Sequence, residues 1–289
     1  MSGPGASGLL LGAVAYDPKV VTIWDGFRAW LREQGLEFDY VLYSNYERQA
    51  VDLVAGRVDL AWNSPLAWVR ARRMALAAGV SLVPVTMRDT DCDLRSLVLV
   101  RQDSPVADLA GLRGRVVATG AVDSPQATLL PMLALRDAGL APGTDVAVRR
   151  FDVGVGLHGD HVGGERDAAR ALIAGTADAA CMIDSNLLLF AREGILPPGS
   201  TRVVGQTALY DHCTMTAGPS ATPALVEELR GLLLGMSYGD PRLRPLLDME
   251  GLKQWRPPRL SGYAQLERAV DAARFYDASG GISASEYRP

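Results

Sequence analysis

The residues best suited to chemistry in this 289-residue chain are its three histidines. His158 and His161 lie three residues apart in the glycine-rich segment GLHGDHVGG, and His212 precedes Cys213 in the segment LYDHCTM. Imidazole and thiolate groups bind zinc and iron, and imidazole also hydrogen-bonds ligands or transfers protons near neutral pH. The spacing matches no recognised metal motif such as HExxH. We therefore predict no cofactor as the first interpretation, with zinc or iron held by the three histidines as the alternative.

A nucleophilic role for the neighbouring thiol is the next possibility to weigh. Consecutive residues of a strand point to opposite faces of the sheet, so we expect His212 not to reach Cys213. Cys181 lies in the apolar segment DAACMID and is expected to be a small core residue. The cysteines therefore predict no covalent catalysis.

Polar residues follow several of the predicted strands. In open α/β sheets, small ligands bind beyond the carboxyl ends of the strands, where helix N-termini present free N–H groups. The same residue types also cap helices, which gives each position a purely structural alternative. The candidate ligand-binding residues are Tyr16, Ser44, Asn63, Ser64, Ser124, Gln126, Thr128, His158, His161, Asp184, Tyr210 and His212.

The elements that would position these residues alternate between short β-rich segments and amphipathic helices, which predicts an α/β fold with mostly parallel sheets. A flexible leader is expected before a first buried strand at 9–15. The pattern divides into two α/β lobes joined by two extended crossing strands. Lobe 1 is predicted to comprise 8–97 plus 213–289, and lobe 2 to comprise 98–212.

Composition excludes several classes of protein. The formal net charge is −4 and 48% of the residues are hydrophobic, which predicts no nucleic-acid partner. No stretch approaches the roughly 20 apolar residues of a membrane span. The three cysteines form no CxxC pair, which fits a reducing compartment. The first residues lack the basic start of a secretory signal, so we predict a cytoplasmic protein as written, or a periplasmic one if a signal has been removed.

Three long segments together resemble one known family. They are LVAGRVDLAWNSPLAWV (53–69), DLAGLRGRVVATGAVDSPQATLLPMLALRDAGL (108–140) and DAARALIAGTADAACMID (167–184), and the resemblance extends over about 10–280. The chain is similar to the phosphonate/phosphate-type substrate-binding proteins of ABC transporters, which have the type II periplasmic-binding-protein fold. The resemblance implies two lobes that close by a hinge on a small anionic or zwitterionic ligand, phosphate-like, phosphonate-like or a carboxylate. An ABC transporter permease is the implied partner.

The chain departs from that family at the residues that hold the ligand. A Ser-Thr-Ser turn binds phosphonate oxygens in the family, whereas this chain has DSPQAT, with Gln126 between Ser124 and Thr128. The family's histidine position before the third segment falls here on Glu165 and Arg166. We predict a solute-binding protein. The alternative is a cytosolic enzyme on the same fold that uses the three histidines as metal ligands or acid–base groups.

Overall fold

The computed structural model describes residues 8–289, and the predicted leader at 1–7 lies outside them. The first elements along the chain are β1 (Gly8–Val14), α1 (Lys19–Glu33), β2 (Glu37–Tyr43), α2 (Tyr46–Val54), β3 (Leu60–Asn63), α3 (Pro65–Ala78), β4 (Val83–Arg88), β5 (Ser96–Arg101), β6 (Val116–Thr119) and α4 (Leu130–Asp137). The remaining elements are β7 (Ala147–Arg150), α5 (Gly163–Ile173), β8 (Ala179–Ile183), α6 (Asp184–Arg192), β9 (Thr201–Gln206), β10 (Thr214–Ala217), α7 (Pro223–Leu234), α8 (Arg244–Glu250), β11 (Trp255–Arg256) and α9 (Ala264–Ala273).

The described residues form two compact units. Unit 1 contains 8–92, Asp211–Ser261 and Ala278–Gly281, and unit 2 contains Asp93–Tyr210, Gly262–Asp277 and Ile282–Pro289. Within 8–289, no helix combines the length and the apolar character that crossing a bilayer requires.

Unit 1 is built on a six-stranded sheet with the order β11-β4-β10-β3-β1-β2. Strand β1 pairs in parallel with β2 and β3, and β10 is antiparallel to β3 and β4. Helix α1 buries an apolar stripe with the spacing of a helix face, and this stripe joins the core around Trp62 and Trp255. Each such buried side chain contributes about 1.5–3 kcal/mol. Because β1, β2 and β3 run in parallel, their carboxyl ends lie at one edge of the sheet, and this edge includes Asn63.

Unit 2 is built on a five-stranded sheet with the order β7-β6-β8-β5-β9. Strand β6 pairs in parallel with β7 and β8, whereas β5 is antiparallel to β8 and β9. Two clusters of buried apolar residues contain alternate residues of the central strands, as period-two alternation requires. A five-residue π-helical turn at Pro125–Leu129 leads into α4, and it contains most of the predicted anion-binding turn.

The end of the chain differs most from the predicted division. We assigned all of 213–289 to lobe 1, but Gly262–Asp277 and Ile282–Pro289 cluster with unit 2. Helix α9 packs on α4, and the ring of Tyr287 lies 4.8 Å from the ring of Phe275. These apolar contacts hold the segment in unit 2, and no local sequence pattern marks them.

Candidate functional site

Asn63 ends β3 in unit 1 and lies directly before α3. Its side chain is fully buried, and its Oδ1 accepts a hydrogen bond of 3.1 Å from Gln49 Nε2. Gln49 Nε2 also donates to the carbonyl of Trp62 at 3.0 Å, which fixes the amide of Gln49. Because Oδ1 accepts, the Nδ2 group of Asn63 is left as a donor, and it has no hydrogen-bond partner among the described residues. A buried donor without a partner costs about 1–3 kcal/mol.

The start of helix α3 adds a favourable field to this position. Ser64 caps the helix, because its Oγ accepts the N–H of Ala67 at 3.1 Å, and Pro65 occupies the first turn, where proline is favoured. The helix is 14 residues long, and its N-terminus carries a partial positive charge that favours anions. The junction of β3 and α3 therefore combines a free amide donor with a helix N-terminus.

Two further candidates of unit 1 lie on other strand ends. Ser44 is exposed, and its Oγ accepts a hydrogen bond of 3.3 Å from Asn45 Nδ2. Asn45 caps α2, since its Oδ1 accepts the N–H of Arg48. Tyr16 is half-buried, with the ammonium of Lys19 5.8 Å from its ring centroid. Neither side chain is buried as Asn63 is.

The predicted anion-binding turn of unit 2 uses its polar side chains internally. Ser124 Oγ accepts the N–H of Ala127, and Thr128 Oγ1 donates to the carbonyl of Ala121 at 2.7 Å. Gln126 Nε2 donates to the carbonyl of Gly159 at 2.9 Å. A ligand can use the donors of Gln126 and Thr128 only after an exchange of partners, whereas Ser124 Oγ acts as an acceptor in its hydrogen bond to Ala127.

The glycine-rich histidine segment packs directly against this turn. The N–H groups of Gly156 and His158 donate to Asp123 Oδ2 at 2.6 and 3.2 Å. At Gly159 (φ +80°), a Cβ would overlap the hydroxyl of Ser124 and lie 2.6 Å from Gln126 Nε2. Only glycine combines this left-handed backbone with so close an approach. We call residues 154–161 the histidine loop.

The two histidines of the loop have different environments. His158 is fully buried, has a left-handed backbone (φ +50°), and its Nε2 lies 3.4 Å from the hydroxyl of Tyr287. His161 is exposed, and its Nδ1 accepts the N–H of Gly163 at 3.2 Å. A left-handed non-glycine residue carries backbone strain of about 1–3 kcal/mol, and such strain clusters at functional sites. Burial raises the pKa of Asp123, although the charge of His158 and the two N–H donors oppose this shift.

The third histidine, His212, belongs to unit 1, whereas the histidine loop belongs to unit 2. His212 Nδ1 is 3.1 Å from the Sγ atom of Cys213 and 3.6 Å from Asp91 Oδ1. The expectation that alternation separates His212 from Cys213 was wrong, because β10 begins only at Thr214 and both residues precede it. Both side chains are buried, with 8% and 2% of each residue exposed, so the contact does not present the thiol to a substrate.

Asp91 joins this pair to a buried ion-pair network. Arg88 donates to both carboxylate oxygens of Asp91, at 2.6 and 2.9 Å, and to Glu250. Burial raises the pKa of Asp91, but the charge and hydrogen bonds of Arg88 outweigh burial and hold it well below its usual range. In the sequence this segment looks like a solvated hairpin of mixed charge, yet Asp91 is only 2% exposed.

The last two candidates, Asp184 and Tyr210, lie in unit 2. Asp184 begins α6, is half-buried and accepts the N–H of Ser185 through Oδ1. Tyr210 is 1% exposed, and burial raises the pKa of its hydroxyl. Sequence reasoning missed Gln49, Asp123 and Tyr287. Only Asp123 carried a local signal, as the residue directly before the Ser124 turn.

Comparisons with known proteins agree with this architecture. The sequence profile of the family described as "ABC transporter, phosphonate, periplasmic substrate-binding protein" matches residues 13–263. PhnD1 from Prochlorococcus marinus (MIT 9301), solved in complex with methylphosphonate, is 17% identical with a TM-score of 0.67, over 93% of this chain and 98% of that one.

Two further solved structures are similar. XAC2383 from Xanthomonas citri, bound to chloride ion, is 23% identical with a TM-score of 0.71, over 93% of this chain and 99% of that one. The periplasmic aliphatic sulphonate binding protein SsuA from Escherichia coli is 19% identical with a TM-score of 0.61, over 93% of both chains. The predicted α/β fold of the periplasmic binding proteins is thereby confirmed.

Proposed function

The chain belongs to the family of periplasmic phosphonate-type substrate-binding proteins of ABC transporters, and we propose that it holds the oxyanion of a small ligand at the junction of β3 and α3. It is a solute-binding protein for small anionic ligands, and the family implies a transporter as its partner. The proposed ligand is a phosphonate, a phosphate or a carboxylate. PhnD1 was solved with methylphosphonate, which makes this compound the first probe.

The observation that carries the proposal is the unpartnered amide donor of Asn63. A fully buried N–H group is rarely left without an acceptor. An oxyanion oxygen would supply that acceptor, and the N-terminus of α3 would add its dipole. Gln49 holds the amide in the orientation that presents Nδ2, because its own Nε2 occupies Asn63 Oδ1.

The proposal also assigns a secondary role to the turn of unit 2. Ser124, Gln126 and Thr128 are engaged in internal hydrogen bonds, so they support the turn and the histidine loop. Tyr16 and Ser44, in the same unit as Asn63, are less buried and would contribute to the choice of ligand. The alternative of an enzyme gains little from this geometry, since His158 is fully buried and His161 is exposed.

The test is a calorimetric titration with methylphosphonate, inorganic phosphate and acetate. We predict that Asn63→Asp weakens the binding of the preferred anion by about 10- to 100-fold, since hydrogen bonds to charged groups contribute about 1.5–3 kcal/mol. The substitution replaces a donor by a carboxylate of the same shape. Asn45→Asp is the matched control, because aspartate also caps a helix and the change in charge is identical. Unchanged affinity in Asn63→Asp, or equal losses in both variants, would refute the proposed site.

A further inference from the structure

Asp91, His212 and Cys213 of unit 1 bring three potential metal-ligand atoms together. One carboxylate oxygen, one imidazole nitrogen and one sulfur lie within 4.8 Å of one another, and all three residues are buried. Two backbone contacts hold the arrangement. The N–H of His212 donates to the carbonyl of Asp91 at 2.8 Å, and the N–H of Cys213 donates to Asp91 Oδ1 at 3.2 Å.

The spacing of these atoms fits a tetrahedral ion. Zinc lies about 2.3 Å from sulfur and about 2.0–2.2 Å from nitrogen or oxygen, so its ligand atoms are about 3.3–3.6 Å apart. His212 Nδ1 lies 3.1 Å from Cys213 Sγ and 3.6 Å from Asp91 Oδ1. These two distances are close to that spacing, and the sulfur and the carboxylate oxygen lie within 4.8 Å of each other.

The local charges also favour an additional cation. Asp91 and Glu250 are 2% and 5% exposed, and both pair with the same guanidinium of Arg88. Carboxylate oxygens attract cations, and solvent and salt screen that attraction much less at buried positions. Arg88 would orient the carboxylate of Asp91, as hydrogen-bonding partners commonly do for metal ligands.

We propose that Asp91, His212 and Cys213 form a binding site for a divalent cation of borderline softness, with zinc as the best match. Mixed oxygen, nitrogen and sulfur ligands suit zinc and disfavour magnesium and calcium, which prefer oxygen ligands alone. Zinc in proteins is commonly four-coordinate, so a water molecule would complete the three protein ligands. The metal ligands and the anion site use different side chains, although Thr214, directly after Cys213, pairs with Asn63 in the sheet.

The test titrates Co²⁺, as a spectroscopic substitute for zinc, into the chelator-treated full chain. We expect one equivalent of Co²⁺ to produce a thiolate-to-cobalt charge-transfer band that Zn²⁺ abolishes. Cys213→Ser should remove the band. Both Cys213→Ser and His212→Gln should lower the Co²⁺ affinity by at least about 10-fold, because even the loss of a residue that only hydrogen-bonds a metal ligand has an effect of this size. Cys92→Ser, a change of a half-buried thiol in the same unit, should leave the band intact.

The outcomes separate this site from adventitious binding. His161→Gln should leave the Co²⁺ affinity and the band unchanged, because His161 is not a ligand of the proposed site. Loss of binding in this variant would instead indicate adventitious binding at the exposed His161. A wild-type chain without the charge-transfer band, or a band that survives Cys213→Ser, would overturn the proposal. Circular dichroism of each metal-free variant checks that it is folded. Methylphosphonate binding by Cys213→Ser shows whether the anion site is intact, so the two proposals fail separately.

Discussion

At the scale of single residues, Asp123 shows how burial changes the chemistry of one group. Its Oδ2 accepts two N–H groups of the histidine loop, while its Oδ1 has no hydrogen-bond partner among residues 8–289. Burial raises the pKa of this carboxyl against the opposing effects of His158 and the two donors. The folded chain therefore binds the proton of Asp123 more tightly than the unfolded chain does.

This shift fixes the sign of a pH dependence. A raised folded pKa contributes stability below the ordinary carboxyl value of about 3.9, and that stability is lost as the pH rises through the folded value. We expect the unfolding free energy of the wild type, relative to Asp123→Asn, to increase as the pH falls from 7 towards 4. Urea unfolding of both proteins at a series of pH values measures this difference in unfolding free energy. Asp103→Asn, at an exposed carboxylate, is the control, and a pH-independent difference for Asp123→Asn would contradict the assignment.

Sequence reasoning at this scale found residue types but not their partners. Asn63 and Ser64 were identified because they follow a strand and precede a helix. The contact of His212 with Cys213 was excluded by strand alternation, but the backbone is irregular there. Asp91 looks like one of several surface aspartates, although Arg88 draws it into the core. Such pairings depend on tertiary packing, which local patterns do not encode.

At the scale of elements, the histidine loop packs tightly against the Ser124 turn. The loop consists largely of glycine and histidine, and three hydrogen bonds from Gly156, His158 and Gln126 hold it in place. At Gly159 the loop lies so near the turn that an added Cβ would overlap the hydroxyl of Ser124. The loop can therefore pack this closely on the Ser124 turn only because residue 159 is a glycine without a side chain.

A pair of glycine substitutions tests this fit. Gly159 and Gly143 have φ values of +80° and +84°, but an added Cβ at Gly143 would meet nothing within 4 Å. Gly143→Ala should cost about 1–2 kcal/mol of unfolding free energy through backbone strain alone. Gly159→Ala should cost about 1–3 kcal/mol more, because it also overpacks the turn. Denaturant unfolding compares them, and equal losses would show that the loop is not tightly packed.

Most elements were predictable because periodicity and caps are local. The apolar residues of α1 recur at helical spacing, Pro65 marks the first turn of α3, and the apolar segment DAACMID contains the strand at Ala179–Ile183. The sequence predicts an extended segment at 201–217 with a kink near Thr207, and the structure has two strands there, of which β9 ends at Gln206 and β10 begins at Thr214. The strand residues were recognised by type, while the interruption follows from tertiary contacts of Tyr210 and His212.

At the scale of the whole molecule, the C-terminal residues are a structural part of unit 2. Tyr287 is fully buried, packs on Phe275 and approaches His158 with its hydroxyl. Glu286 pairs with Arg150 of β7. The last residues of the chain thus support the histidine loop, although more than 120 positions separate them in sequence.

We predict that Tyr287→Ala loosens unit 2 selectively. Replacing a buried aromatic by alanine costs about 3–5 kcal/mol. Hydrogen exchange should become faster in the histidine loop and α9, while peptides from unit 1 keep the wild-type rate. Tyr287→Phe retains the ring and should preserve the protection of α9. Uniformly faster exchange in both units would contradict the assignment of this segment to unit 2.

The division of the chain could be predicted only in outline. Two α/β units follow from the alternation of elements and from the resemblance to binding proteins. The placement of α9 and Tyr287 does not, because amphipathic helices dock wherever a complementary apolar surface lies. The candidate anion site was also only partly predictable. Asn63 was recognised from its position after a strand and before a helix, but its free amide donor follows from the contact with Gln49, which the sequence does not reveal.

The most direct test of the proposed anion site is a crystal structure of the full chain with methylphosphonate. We predict that a phosphonate oxygen lies about 2.7–3.2 Å from Asn63 Nδ2, the normal range for such a hydrogen bond. The same oxygen should face the first turn of α3. A phosphonate bound elsewhere, with Asn63 Nδ2 still without an acceptor, would contradict the account.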